Sequence, residues 1–165
     1  MKKAKTIRVM FVCHGNICRS PMAEFICRNM LQKAGRAGQV IVASSATSTE
    51  EIWNGVGNPV YPPAKRELAL HGLTCEGKRA VQLTREDYEK YDLFIGMDNA
   101  NIRNMHRILQ GDPQGKIRKL MDYTGRGGDV ADPWYSDRFD IAYRDIEDGC
   151  RGLLSSEEFK KLLEG

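Results

Sequence analysis

Apolar positions along this chain follow two rhythms, short unbroken runs and stripes at helical spacing. Residues 6–12 carry Ile7, Val9, Met10, Phe11 and Val12, a run dense enough to predict a buried strand. Ser20 followed by Pro21 predicts a helix start, with a hydroxyl cap and proline at the first helical position. Met22, Phe25, Ile26, Met30 and Leu31 then recur at helical spacing as far as Gly35. Residues 39–43 predict a second strand, and 45–62 a long loop holding Trp53-Asn54-Gly55 and Gly57-Asn58-Pro59. A helix is expected over 64–71, stopped by Gly72, and a short one from Thr84 and Asp87 to Tyr91. Residues 92–97 read as a third strand, 99–110 as a helix closed by Gly111, and 116–121 as a fourth strand. Residues 123–136 read as a loop with three glycines and Asp132-Pro133. Phe139, Ala142, Tyr143, Ile146, Cys150 and Leu153 fall on one helical stripe at the end.

Strands alternating with helices predict an α/β fold: one doubly wound domain over residues 1–165, with a four-stranded parallel sheet and helices on both faces. No repeat or low-complexity segment interrupts this plan. Sites in such folds sit at the carboxyl ends of the strands. That puts three stretches on one rim: the turn after the first strand, the Asp98 turn after the third, and the 123–136 loop.

Composition narrows the partners. The chain has 165 residues, 41% apolar and 28% charged, ordinary values for a folded globular protein. A net charge of +3 with scattered Lys and Arg argues against nucleic acid and suits a small anionic substrate group. No apolar run approaches a membrane span, and Met1-Lys2-Lys3-Ala4-Lys5 leads into the first strand with no signal-peptide core. The expectation is a cytoplasmic protein with no membrane partner. The five cysteines are odd in number, so free thiols in a reducing compartment are expected. Cys13 and Cys18 lack the second close pair of a zinc site, and Cys27, Cys75 and Cys150 read as structural.

The turn after the first strand reads Cys13-His14-Gly15-Asn16-Ile17-Cys18-Arg19-Ser20. A short loop wrapping back to a helix start can aim consecutive backbone N–H groups inward, forming an anion nest strengthened by the helix dipole. Gly15 and Asn16 tolerate the positive φ such a loop requires. Arg19 can grip two phosphate oxygens in a fork that lysine cannot reproduce. Cys13 stands at the centre, where the inward N–H groups, the dipole, Arg19 and the Ser20 hydroxyl favour the nucleophilic thiolate. A strand-end cysteine before a structural turn would explain Cys13 alone, but not the whole combination. For Cys18, plain packing and a redox role both stay open.

The octet, with Pro21-Met22-Ala23-Glu24 behind it, resembles the signature of low molecular weight protein-tyrosine phosphatases. The resemblance continues through Ser44-Ser45-Ala46-Thr47-Ser48, Gly57-Asn58-Pro59, Met97-Asp98 and Asp132-Pro133-Trp134-Tyr135. It ends with Ile146-Glu147-Asp148-Gly149-Cys150-Arg151-Gly152-Leu153-Leu154. It implies a phosphocysteine intermediate on Cys13, tyrosine-phosphorylated protein substrates, and no metal or other cofactor. Phosphate or other oxyanions would lie against His14, Gly15, Asn16, Ile17, Cys18 and Ser20, in a monomer or weak dimer.

A carboxylate before proline is ordinarily a turn residue. Yet a phenolate, whose conjugate acid has a pKa near ~10, leaves easily only when protonated. The 123–136 loop alone offers the rim an acid beside two aromatic residues. By resemblance, Asp132 protonates the phenol and later deprotonates water. Asp98 is a rival acid for which a helix N-cap role is adequate, and resemblance adds support of the loop. Trp53, Trp134 and Tyr135 match positions walling the family's cleft, where a planar ring fits better than phosphoserine; Trp53 alternatively packs within its own loop. Ser44 resembles a serine that steadies Asn16. Three departures stand out: His14 replaces a small or apolar residue, residues 76–79 lack a histidine many members use to support the asparagine, and Trp134 replaces a frequent tyrosine.

Three other functions compete. Arsenate reduction on this fold needs two further relay cysteines, but no partner follows Cys75 within ten residues. Phosphoarginine hydrolysis goes with threonine in place of Ile17. A phosphate-binding module without catalysis has no need of both Cys13 and Asp132, and ranks last.

Overall fold

The computed structural model describes residues 6–165; the Met1-Lys2-Lys3-Ala4-Lys5 lead lies outside the described residues. Strand β1 (Ile7–Cys13) opens the chain and helix α1 (Arg19–Lys33) follows it. Strand β2 (Val40–Ala46) pairs in parallel with β1, Ile7 opposite Val40 and Cys13 opposite Ala46. A small hairpin, β3 (Ile52–Trp53) and β4 (Val56–Gly57), precedes helix α2 (Pro62–Leu70). After a 3-10 turn at Arg85–Glu89 come β5 (Leu93–Gly96), helix α3 (Asn99–Ile108) and β6 (Ile117–Lys119). A second 3-10 turn, Leu120–Thr124, leads to the short α4 (Pro133–Ser136), then α5 (Phe139–Leu154) and α6 (Glu157–Glu164). The four-stranded sheet runs β2-β1-β5-β6, all parallel, as the alternating pattern predicts.

The unbroken apolar character of β1 has a direct cause: both faces are covered. Val9 and Phe11 belong to a core shared with Met22 and Ile26 of α1 and Ile146 and Leu153 of α5. Met10 and Val12 point the other way, into a core with Tyr88, Phe94, Met105 and Leu109. Each fully buried side chain of this size contributes about 1.5–3 kcal/mol. This double anchorage fixes the carboxyl end of β1, and with it Cys13.

Several boundaries differ from the sequence reading. β2 runs through Ser44 and Ser45 to Ala46, because its final residues stay paired with β1. Part of the long 45–62 loop folds back on itself: Asn54 and Gly55 take φ values of 50 and 75, the left-handed pair that a two-residue hairpin needs. Gly57 packs so closely that a Cβ would lie 1.9 Å from the Ala80 carbonyl oxygen. The fourth strand is shorter than expected and gives way to the turn at Leu120–Thr124. Helix α6 was not anticipated; Ser156 caps it by accepting from the Phe159 N–H at 3.2 Å, and Phe159 is buried. No helix of the described residues is long and apolar enough to cross a membrane.

Candidate active site

The chain leaves β1 at Cys13 and re-enters regular structure at Arg19, so five residues must turn between strand and helix. The turn is tight enough to force Asn16 to φ 58, a left-handed backbone that asparagine tolerates better than most residues. Backbone donors converge on sulfur as a result. The Asn16 N–H lies 3.3 Å from Cys13 Sγ, and the Ser20 N–H 3.4 Å. The Ser20 hydroxyl is 3.0 Å from the same atom. This corrects the expectation that Ser20 caps the helix. The helix begins two residues earlier, after Cys18, and Ser20 sits inside its first turn with its hydroxyl turned to the thiol. Pro21 is accordingly the third helical residue.

Asn16 is tied down on every side. Its Nδ2 donates to Ser20 Oγ at 2.7 Å and to Ser44 Oγ at 2.9 Å, and its Oδ1 accepts from the Val81 N–H at 3.0 Å. Beyond Ser44 lies a buried carboxylate: Ser44 Oγ donates to Glu24 Oε1 at 2.6 Å. The stretch 76–79, which has no histidine, sends Lys78 Nζ to the Ser44 carbonyl oxygen at 3.0 Å.

Arg19 joins the three rim stretches. Its Nη1 donates to Asp98 Oδ2 at 2.7 Å and to the Val130 carbonyl at 2.9 Å, and its Nη2 lies 3.5 Å from Asp132 Oδ2. A guanidinium has five N–H donors. With both Nη1–H groups engaged, the Nε–H and the Nη2–H groups remain, and the Nε–H with one Nη2–H forms the parallel pair suited to two oxygens of one anion. Burial works against the Arg19 charge, but Cys13, Asp98 and Asp132 together hold it above its usual value. Asp98 also caps α3, accepting from the Asn101 N–H at 2.8 Å. Asp98 thus contacts both α3 and Arg19. Asp132 caps α4 through the Trp134 N–H at 3.1 Å, which aims its other oxygen at Arg19.

These groups face one cavity of about 390 Å³, lined by Cys13, His14, Gly15, Ile17, Cys18, Arg19, Asp132, Trp134 and Tyr135. Asn16, Ser20 and Ser44 lie behind the lining, buried. Burial, and next the nearby Cys13, push the Cys18 thiol well above its usual range, so it stays protonated. All five cysteines are free and buried. No group of three or more His, Cys, Asp or Glu able to hold a metal ion occurs among the described residues.

One expected wall residue is displaced. Trp53 is 78% exposed on the hairpin and does not line the cavity. Glu50 and Glu51 stand there instead, because the hairpin turn carries Trp53 past the wall. His14 Nε2 lies 3.0 Å from Glu50 Oε2 at this rim. Sequence reasoning also missed Tyr61, whose ring stacks obliquely on Trp134 at 4.9 Å between centroids, and the Val130 carbonyl. Neither carried a signal: Tyr61 falls in the expected 45–62 loop, just before α2, and a backbone oxygen has no residue type. The acidic pair Glu50-Glu51 was legible in principle, directly after a matching stretch.

Comparison with known proteins agrees with this geometry. The family model of low molecular weight phosphotyrosine protein phosphatases matches residues 8–164. The low molecular weight protein-tyrosine-phosphatase YfkJ of Bacillus subtilis is 35% identical over 159 residues, covering 95% of this chain and 99% of its own. The crystal structure of YfkJ superposes with a TM-score of 0.89 at 33% identity, covering 97% of this chain and 99% of the other. A Drosophila arginine phosphatase is similar at a TM-score of 0.80 and 28% identity, over 92% and 99% of the two chains. With nearly the whole chain matched in sequence and in fold, this protein belongs to the low molecular weight phosphotyrosine protein phosphatase family.

Proposed function

We propose that this chain hydrolyses phosphotyrosine in protein substrates through a phosphocysteine intermediate on Cys13. The observation that carries the reading is the convergence of the Asn16 N–H, the Ser20 N–H and the Ser20 hydroxyl on Cys13 Sγ, beside the unspent donor pair of Arg19. In the first step the Cys13 thiolate attacks phosphorus, the bond to the phenolic oxygen breaks, and Asp132 as the acid gives that oxygen its proton. Developing charge on the phosphoryl oxygens meets the loop N–H groups and Arg19. In the second step Asp132 takes a proton from water, water oxygen bonds to phosphorus, and the sulfur leaves as thiolate with the Ser20 hydroxyl 3.0 Å away. Inorganic phosphate is released.

Ile17, Trp134 and Tyr135 give the entrance apolar walls that suit a phenyl ring. The same Ile17 weighs against phosphoarginine, and the lack of a partner cysteine within ten residues after Cys75 weighs against arsenate reduction. We take residues 1–165 as one catalytic domain, acting as a monomer or weak dimer. Five free thiols suit a reducing compartment, and we place the enzyme in the cytoplasm.

The test is hydrolysis of matched phosphotyrosine, phosphoserine and phosphoarginine peptides, alongside thiol-dependent arsenate reduction, by wild type and Cys13→Ser. Phosphotyrosine should be turned over fastest, acid quench of wild type should trap phosphate on Cys13, and Cys13→Ser should bind phosphate without turnover. Faster phosphoarginine hydrolysis, or turnover by Cys13→Ser, would overturn the proposal.

A further inference from the structure

Asn16 is the point of greatest backbone strain in the loop, and its orientation decides where one N–H on Cys13 points. The Ser44 hydroxyl has a single proton, which it gives to Glu24 Oε1 at 2.6 Å. Its lone pairs are thereby left for Asn16 Nδ2 at 2.9 Å. A carboxylate only accepts, so Glu24 fixes the direction of that hydroxyl. Turned the other way, Ser44 would present a proton to an amide that also donates.

Glu24 is itself buried and needs cations. Arg28 Nη2 meets its Oε2 at 2.5 Å, and Lys78 Nζ meets its Oε1 at 3.4 Å. The two cations are not equivalent. Arg28 lies one helical turn away on α1, with its side chain 42% exposed and also bonded to the Val42 carbonyl. Lys78 comes from the irregular segment after α2 with its side chain only 11% exposed, and it also donates to the Ser44 carbonyl at 3.0 Å. Burying an ammonium is costly unless it is paired and hydrogen-bonded. Its two partners are the carboxylate that orients Ser44 and the backbone of Ser44 itself.

We propose that Lys78 is a positioning residue for the phosphate loop, acting through Glu24 and Ser44 on Asn16, and so on the N–H groups around Cys13. The proposal rests on the phosphatase reading of the loop. It is tested by direct binding of inorganic phosphate and vanadate, which needs no turnover, so failure of the catalytic reading remains separable. Lys78→Met keeps length and loses the charge. It should weaken oxyanion binding of the folded protein by roughly tenfold, the scale of one charge-assisted hydrogen bond, and, because it takes a cation from buried Glu24, also lower the melting temperature. Lys78→Arg should restore most of the affinity. In a Ser44→Ala background, Lys78→Met should have little further effect, because the route to Asn16 is already cut. Should Lys78→Met fail to fold, Glu24→Gln reads the same route from the carboxylate, since an amide there can donate to Ser44 and release its proton. Unchanged oxyanion affinity in the folded Lys78 or Glu24 variant, or additive losses from Lys78 and Ser44, would overturn the proposal.

Discussion

Replacing Asp132 by asparagine separates the proton-transfer role proposed for this residue from its structural one. Two structural contacts change. The Asp132 carboxylate caps α4 through the Trp134 N–H at 3.1 Å and pairs with Arg19 Nη2 at 3.5 Å. Asparagine caps about as well as aspartate, so the loop should hold its shape. The ion pair with Arg19 is partly exposed, and such pairs contribute about 0–1 kcal/mol. A missing general acid costs roughly 10²–10⁴ in rate, equivalent to about 2.7–5.5 kcal/mol of barrier. The chemical loss therefore exceeds the structural one severalfold, and the variant should be slow but folded. Leaving-group dependence provides the assay. Single-turnover rates with phosphotyrosine should fall across that range, while a substrate with a far more acidic phenol should be phosphoryl-transferred with a much smaller loss. That second substrate should then show a burst, since hydrolysis of phosphocysteine still lacks its base. Equal losses for both leaving groups before the burst would refute Asp132 as the acid.

Three other outcomes are expected. Arg19→Lys should lose at least about a hundredfold in kcat/KM, because one ammonium cannot hold Asp98, the Val130 carbonyl and two phosphate oxygens together; near-normal kinetics would count against the clamp. Mild peroxide should inactivate the enzyme reversibly by joining Cys13 to the neighbouring Cys18, which lines the same cavity, and Cys18→Ser should instead be oxidised irreversibly. Peptide mapping decides it, a Cys13 sulfinic acid with untouched Cys18 in wild type being the contrary result. At Glu158, burial opposes the charge, but hydrogen bonds from Arg118 and Tyr123 outweigh it and hold the carboxyl below its usual range. A depressed folded value means stabilisation that is full above about pH 4.3 and lost as pH falls through the lower folded value. Glu158→Gln should thus lower the melting temperature by about 2–4 °C near neutral pH, for about 1 kcal/mol at this partly exposed site, and converge with wild type in acid.

Which parts of this molecule were legible in its sequence follows from how local each part is. A tight loop of consecutive residues declares itself locally, so the turn from Cys13 to Ser20, with N–H groups converging on sulfur, was legible from residue types alone. The sheet was legible because β1 and β5 are covered on both faces and therefore apolar without interruption. The end of β2 was not, because Ser44 and Ser45 are buried polar residues, and the partners of the Ser44 hydroxyl, Asn16 and Glu24, lie far along the chain. The hairpin had its Asn54-Gly55 signal, but strands of two residues leave no alternation to confirm it. Helix α6 was missed because the stripe of α5 ends at Leu153 and only Ser156 marks the new start. Lys78 and Glu24 are 54 positions apart and share no pattern, so their pairing appears only in three dimensions.

Arg19 marks the limit most clearly. Its spacing from Cys13 was enough to identify a clamp, but a clamp with five donors is defined by which of them are left over. The two that are spent go to Asp98 and Val130, with Asp132 an ion-pair partner 3.5 Å from Nη2; all three lie on two other stretches of the rim, and one acceptor is a backbone oxygen that any residue would supply. Val130 is held in place in turn, its N–H donating to the Met97 carbonyl at 2.9 Å at the end of β5. The remaining Nε–H and Nη2–H can act as a fork only while that docking persists. In the proposed mechanism Arg19 would be both the phosphate ligand and the bolt between strand ends, two roles lysine could not fill together, and the second makes the loop's geometry depend on residues about a hundred positions away.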